Sequence, residues 1–284
     1  MLATVIGLGS MGRRRASILK SLGLEVEGID PNVELPEIPS VERPSGDVVF
    51  ICTPPDVRER PLRMALEHGA PMLIEKPLAA PGAITGETID ALWDYPCRVS
   101  ENLFYSPDVD WFFRSVKDME KRDIYAWFDF ELSKWRPQTN YRKSYNARKT
   151  YSLGFDCHEI NVLCGYLGRP QGVEASFSQK REKMKAFQTL RATLEWEKTT
   201  CLVALRYYEG YSRGWSVEHN DRRASILLSP SSIEPTYEKE TFGFIDDAKR
   251  AGLPGLEPWV LDAMDVHKAM IQSHEERRWI SLSL

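Results

Sequence analysis

The stretch Thr4-Val5-Ile6-Gly7-Leu8-Gly9-Ser10-Met11-Gly12, continued by Arg13 to Leu22 and then Leu24-Glu25-Val26-Glu27-Gly28-Ile29-Asp30, decides the fold. An apolar strand enters a glycine-rich turn, a helix follows, and a second strand ends on a carboxylate, which is the order a dinucleotide-binding unit requires. In this reading Gly7 permits the tight turn, Gly9 lets a pyrophosphate approach the backbone, and Gly12 brings helix and sheet together. The amides at the helix start, around Ser10 and Met11, are left to receive phosphate. Asp30 follows Gly7 by 23 residues, close to the distance of an acid that binds ribose hydroxyls and repels a 2′-phosphate. That spacing favours NAD, with NADP as the alternative. Arg13, Arg14 and Arg15 favour the alternative if one of them reaches a 2′-phosphate; they also read as a solvent face of the first helix. The structural reading is a turn that only packs strand on helix, with Asp30 capping Pro31-Asn32.

The 284 residues fit two domains or one large one, and a hydrophobic fraction of 42% supplies a sizeable core. A net charge of −4 provides no global basic field, so neither nucleic acid nor an anionic membrane is expected as a partner. No apolar run is long enough for a membrane span, and no signal peptide is evident. The 5 cysteines are scattered without a CxxC pair, which argues against a disulfide framework or a cysteine zinc site and for a reducing, cytoplasmic setting. His267 and His274 have no third ligand nearby, and no metal is expected.

Further strand ends converge on the cofactor side. Asp47-Val48-Val49-Phe50-Ile51-Cys52 is an apolar strand ending at Thr53-Pro54-Pro55, and a helix from Asp56 to His68 stops at Gly69. Pro71-Met72-Leu73-Ile74 then delivers Glu75-Lys76-Pro77-Leu78 to the same edge. Pro77 biases Lys76 towards an extended backbone that aims its ammonium; a surface turn with a solvated lysine is the simpler reading. Thr85 to Trp93 reads as a helix and Cys97-Arg98-Val99-Ser100 as an edge strand leading to Asn102. The nucleotide domain is expected to span residues 1–103. Residues 104–284 would then form a substrate-binding and oligomerisation domain, with the C-terminal helix able to pack back on the first.

Gly7 to Gly12, Thr53-Pro54, Glu75-Lys76-Pro77-Leu78-Ala79, Asn102 before Pro107, and the block from His158 to Gly168 together resemble the Gfo/Idh/MocA oxidoreductase family, named for glucose-fructose oxidoreductase and inositol dehydrogenase. The resemblance extends over most of the first 175 residues. It implies an NAD(P)-dependent dehydrogenase or reductase acting on a carbohydrate-like molecule. Lys76 would assist substrate orientation and proton transfer, and His158 would contact the hydroxyl that is oxidised. The family pattern places an acid four residues before the histidine. Here that position is Gly154, and Asp156 is the nearest substitute, although an i,i+2 pair shares no helix face. The matching motifs imply Thr53, Pro54, Glu75, Lys76 and Asn102 as cofactor contacts beside Gly7, Gly9, Ser10, Met11, Gly12 and Asp30. The segment from Trp135 to Tyr145 and the sequence His158-Glu159-Ile160 resemble family members of sugar-nucleotide and surface-polysaccharide pathways, which implies a substrate of that kind.

In the second half, Ile124 to Leu132 reads as a strand and is followed by the basic, aromatic segment Trp135 to Lys149. Such a segment can grip a sugar and a phosphate, serve as a structural or subunit loop, or bind a nucleic acid strand. Asp156 to Leu167 reads as a helix with His158 near its N-terminus, where the helix dipole favours a neutral imidazole able to accept a proton; a buried core histidine is the alternative. Strands recur from Gly172 to Leu228 and imply one open, mainly antiparallel sheet. One face of that sheet would support a homodimer or homotetramer, with Tyr207, Tyr208, Tyr211 and Trp215 as interface or core residues. The overall expectation is an α/β chain with an N-terminal Rossmann-type parallel sheet and a C-terminal α+β domain. The rival functions are an NADP-dependent imine or carbonyl reductase and a non-catalytic nucleotide-binding assembly or regulatory protein.

Overall fold

The computed structural model describes residues 1–117, 119, 122–130, 151, 158–178, 187–207, 211–219 and 222–282. The chain divides into two compact units, Met1–Asn102 with Pro235–Val260, and Leu103–Glu234 with Leu261–Leu284.

The first unit is built on a five-stranded parallel sheet in the order β2-β1-β3-β4-β5. Its strands are β1 (Leu2–Ile6), β2 (Glu25–Ile29), β3 (Val48–Ile51), β4 (Met72–Ile74) and β5 (Cys97–Val99). Three helices alternate with them: α1 (Ser10–Ser21), α2 (Glu59–His68) and α3 (Gly86–Trp93). All four residues of β3 are 0% exposed, as the uninterrupted Val-Val-Phe-Ile run requires of a strand covered on both faces. Burial of each such side chain contributes about 1.5–3 kcal/mol. The segment between β2 and β3 contains no helix, and Ser40 forms an isolated parallel bridge to Gly28 on the outer side of β2. Strand order reverses between β1 and β3, so a crevice opens at their carboxyl ends, where ligands bind in such sheets. The later segment of this unit completes its core: Phe244 meets Phe50 edge-on at 5.3 Å.

The second unit carries a seven-stranded sheet in the order β11-β10-β6-β9-β8-β7-β12. These strands are β6 (Arg122–Phe130), β7 (Gly172–Ser178), β8 (Thr189–Trp196), β9 (Thr199–Tyr207), β10 (Tyr211–His219), β11 (Arg222–Leu228) and β12 (Ile280–Ser281). Every pairing is antiparallel except β6 with β9. Parallel neighbours need a long connection, and the chain between them runs through α5 (His158–Leu167), β7 and β8. Before the sheet comes α4 (Pro107–Val116), whose Val109, Phe112, Phe113 and Val116 are all buried. Phe113 stacks on Tyr166 of α5 at 4.3 Å, and Gly165 leaves room for the Phe104 ring, which would lie 2.3 Å from an added Cβ. Two last helices follow β11: α6 (Pro230–Lys249) and α7 (Pro258–Glu276). No helix among the described residues is long and apolar enough to cross a membrane.

Trp215 is 0% exposed and belongs to the core. The side chains of Tyr207, Tyr208 and Tyr211 lie outside the described residues. The aromatic surface of the open sheet face comes instead from β6, where Tyr125 and Trp127 stack at 5.4 Å.

Candidate functional site

The three glycines of the opening motif meet three different constraints. Gly7 has φ +94°, and an added Cβ would lie 2.8 Å from the Thr53 amide nitrogen. At Gly12 a Cβ would fall 1.9 Å from the Gly7 carbonyl oxygen, so the helix packs against the turn at a distance only glycine allows. Gly9 has nothing within 4 Å and faces open space. Helix α1 begins at Ser10 with neither a side-chain cap nor an acid in its first turn, leaving its positive end to an outside acceptor. The turn therefore presents open backbone at the helix start, with Ser10 exposed and Met11 half-buried at its rim.

Asp30 accepts from the Leu8 amide at 2.7 Å through one oxygen and from the Asn32 amide at 2.8 Å through the other. It therefore does cap the turn, yet each oxygen retains acceptor capacity for a ribose hydroxyl. The three consecutive arginines separate. Arg13 Nε donates to the Leu8 carbonyl at 3.2 Å, which places it beside the Asp30 contact. The Arg14 guanidinium lies 4.6 Å from the centre of the Tyr237 ring. Arg15 is 0% exposed, against the expectation of a solvent face. It lies three residues after Gly12 and shares its inward helix face.

Arg15 is the centre of a buried polar network. Its Nε donates to Glu75 at 2.7 Å, and its terminal nitrogens donate to Glu240 at 2.5 Å, Ser100 at 2.8 Å, Thr241 at 2.7 Å and the Tyr237 carbonyl at 3.2 Å. Burial opposes the Arg15 charge, but Glu75 and Glu240 outweigh it and raise the pKa. Burial raises the Glu240 pKa; Arg15 pulls it down and the neighbouring Glu75 pushes it up. Glu75 is thus committed through its carboxylate to Arg15 and only 5% exposed.

Strands β3, β4 and β5 end side by side on Thr53, Glu75-Lys76 and Asn102, all expected from the sequence. The Lys76-Pro77 bond is cis. Thr53 Oγ1 and Asn102 Oδ1 are buried without a hydrogen-bond partner among the described residues, whereas Asn102 Nδ2 donates to Thr236 at 2.6 Å. Two such orphan oxygens, at the strand ends on either side of β4, fit a bound molecule that supplies donors. Tyr237 stands in the same charged surroundings: burial raises its phenol pKa, Glu75 raises it further, and Lys76, Arg14 and Arg15 oppose the rise. Pro54 leads into a short 3-10 turn, Pro55–Val57, that ends at the buried Arg58.

In the second unit His158 opens α5 and is 9% exposed. Its neighbour Glu159 is fully buried and accepts from Arg213 Nε at 2.6 Å, while the same guanidinium lies 4.2 Å from the Phe128 ring centre. That buried pair ties the start of α5 to β10 and β6. Asp156, Gly154 and the segment Trp135 to Lys149 lie outside the described residues. Among the described residues, no group of three His, Cys, Asp or Glu side chains is arranged to hold a metal ion.

Sequence reasoning missed Arg15, Arg58, Tyr237, Glu240 and Arg213 as site-forming residues. Arg15 carried a usable signal, its helical spacing from Gly12; the others depend on contacts across long sequence separations.

No family model matches the chain. Solved structures do. A myo-inositol 2-dehydrogenase from Lactobacillus plantarum aligns over 100% of this chain and 99% of its own, with TM-score 0.81 and 16% identity. GenD2 from gentamicin A biosynthesis, in complex with NAD, aligns over 100% and 97% with TM-score 0.83 and 13% identity. Scyllo-inositol dehydrogenase from Lactobacillus casei, with bound NAD(H) and scyllo-inositol, aligns over 99% and 98% with TM-score 0.82 and 14% identity. The chain has the fold of these dehydrogenases. The likeness extends beyond the first 175 residues, where the sequence resemblance ended, into the strand-rich second half.

Proposed function

We propose that this chain is an NAD-linked oxidoreductase of the Gfo/Idh/MocA type, acting at a hydroxyl or carbonyl carbon of a carbohydrate-like polyol. The observation that carries the proposal is the first unit's ligand-ready edge: the open backbone at Gly9, Asp30 with spare acceptor capacity, and the orphan oxygens of Thr53 and Asn102 beside Lys76. The similar proteins include two solved with NAD or NAD(H), and a third called an inositol dehydrogenase, which supports the same cofactor and substrate class here. Glycine loop and α1 would hold the pyrophosphate, and Asp30 the adenosine ribose.

NAD, when bound, accepts or returns the hydride. Lys76 orients and polarises the reacting oxygen, and His158 takes the hydroxyl proton in the oxidation direction. A phosphorylated or nucleotide-linked substrate is the narrower reading that the basic, aromatic segment Trp135 to Lys149 suggests. A second copy of the chain covering the open face of the seven-stranded sheet accounts for the apolar residues Tyr125, Leu202 and Leu227 that remain exposed there.

Fluorescence titration with NADH and NADPH, followed by turnover on a panel of inositols, sugars and sugar nucleotides, tests this reading. NADH should bind more tightly than NADPH, and Lys76→Ala should lower kcat by roughly 100-fold or more while leaving NADH affinity within about threefold. Binding of neither cofactor removes the proposal, and full turnover by Lys76→Ala removes the role of the lysine.

A further inference from the structure

Arg58 falls in the segment Asp56 to His68, which the sequence reads only as a helix. It is 1% exposed. Its Nη1 donates to the carbonyls of Glu75 and Pro77, with a further contact to Leu78 at 3.2 Å, and its Nη2 donates to the carbonyl of Thr53. One guanidinium therefore spans two loops that follow neighbouring strands: the loop after β3, which carries Thr53, and the loop after β4, which carries Lys76. The carbonyls it engages bracket Lys76 on both sides. The residue before Lys76 is held a second time, because the Glu75 carboxylate receives Arg15 Nε at 2.7 Å. Backbone carbonyls at strand ends normally turn to water or to the next turn; here they converge on a planar donor whose fork reaches several acceptors at once.

We infer that Arg58 is a positioning residue for Lys76, setting the place of the lysine backbone relative to the Thr53 strand end. The inference rests on the proposed catalytic role of Lys76. Arg58, at 1% exposure, acts through the two loops rather than at the reacting atoms. A lysine at position 58 keeps the positive charge but brings a single ammonium that cannot span both loops in the same plane. A displacement of the order of 1 Å at a reacting group costs roughly 100-fold in rate, whereas the glycine turn between β1 and α1 takes its shape from Gly7 and Gly12 rather than from Arg58.

Arg58→Lys is compared with wild type and Lys76→Ala by thermal melting, NADH fluorescence titration and steady-state kinetics on the best substrate of the polyol and sugar panel. The expected result is a folded Arg58→Lys protein whose NADH dissociation constant stays within about threefold of wild type and whose kcat falls roughly 10- to 100-fold. Should Arg58→Lys fail to fold, Arg58→Gln provides the same three readouts. Unchanged kcat in a folded variant overturns the inference alone, as does a loss of cofactor affinity as large as the loss of kcat. Failure of both variants to fold overturns it in favour of a purely structural arginine. A wild-type protein that binds no NADH or turns over nothing on the panel overturns the parent reading and this inference with it.

Discussion

The two sheets of this protein use their side chains in opposite ways. In β3 every residue is buried, whereas β7 and β8 alternate buried and exposed positions along nearly their whole length. A parallel sheet covered on both faces has no surface left for chemistry except its strand ends, so backbone geometry and a few loop residues decide what it binds. The antiparallel-rich sheet keeps a spare face, where registered rows such as Ser216, Tyr125, Leu202 and Thr193 cross neighbouring strands. Substitutions should therefore be costly and local in effect at the first sheet's edge, and cheap for folding on the second sheet's open face.

The largest effect should come from Gly12. Its added Cβ would sit 1.9 Å from the Gly7 carbonyl, a backbone atom that cannot swing aside. Gly12→Ala should cost about 3 kcal/mol or more in a urea-unfolding measurement and abolish NADH binding together with stability. Gly9→Ala is the control within the same turn. With nothing within 4 Å of the new Cβ, its unfolding midpoint should stay near wild type while NADH affinity falls. Equal unfolding midpoints for the two variants would show that the turn tolerates a side chain at the helix contact.

This contrast also explains which parts of the molecule could be read from sequence. Gly7, Gly12 and the Val48 to Ile51 run announce themselves because short-range geometry and continuous burial impose a residue type at a fixed spacing. The alternating strands of the second half were legible for the same reason. Their order was not, since the parallel pairing of β6 with β9 joins segments separated by a helix and two strands. The buried network was hidden for a related reason. Arg15, Glu75 and Glu240 are charged residues whose sequence context suggests solvent, and only folding brings them together over separations of 60 and 225 residues. Likewise nothing local marks Arg58 as buried, because the carbonyls that satisfy it belong to other loops.

That network yields an intermediate effect with a defined sign. Glu240 shares Arg15 with Glu75, and Ser100 donates to it at 2.9 Å. Its pKa is raised chiefly by burial, so the folded state holds the proton more tightly than the unfolded state. The corresponding stability is fully present below the unfolded carboxylate range, near pH 4.5, and is lost as pH rises through the folded pKa. Glu240→Gln removes this titration. The melting temperature of the variant minus that of wild type should therefore increase as pH is raised from about 4.5 towards neutrality and beyond. A difference that stays flat with pH would show that Glu240 ionises in the fold as readily as in the unfolded chain.

The smallest effect on folding should come from the open face of the second sheet. Leu202 is 52% exposed and pairs across β6 and β9 with Tyr125, itself 40% exposed, at the floor of a concavity of about 450 Å³. Arg191 and Arg206 also line it, and Arg206 is already engaged with Asp129 at 2.6 Å. Leu202→Arg removes an apolar side chain from water without opening a cavity, so monomer stability should change by no more than about 0.5 kcal/mol. If a second copy covers this face, the same change buries an unpaired charge beside two existing arginines and should shift the sedimentation coefficient from oligomer to monomer. A wild-type protein that sediments as a monomer, or a variant that assembles as well as wild type, would remove this face as the contact. Either result would leave the first sheet's chemistry untouched, because the residues that shape its strand ends, from Gly7 through Arg58 to Asn102, all belong to the other compact unit.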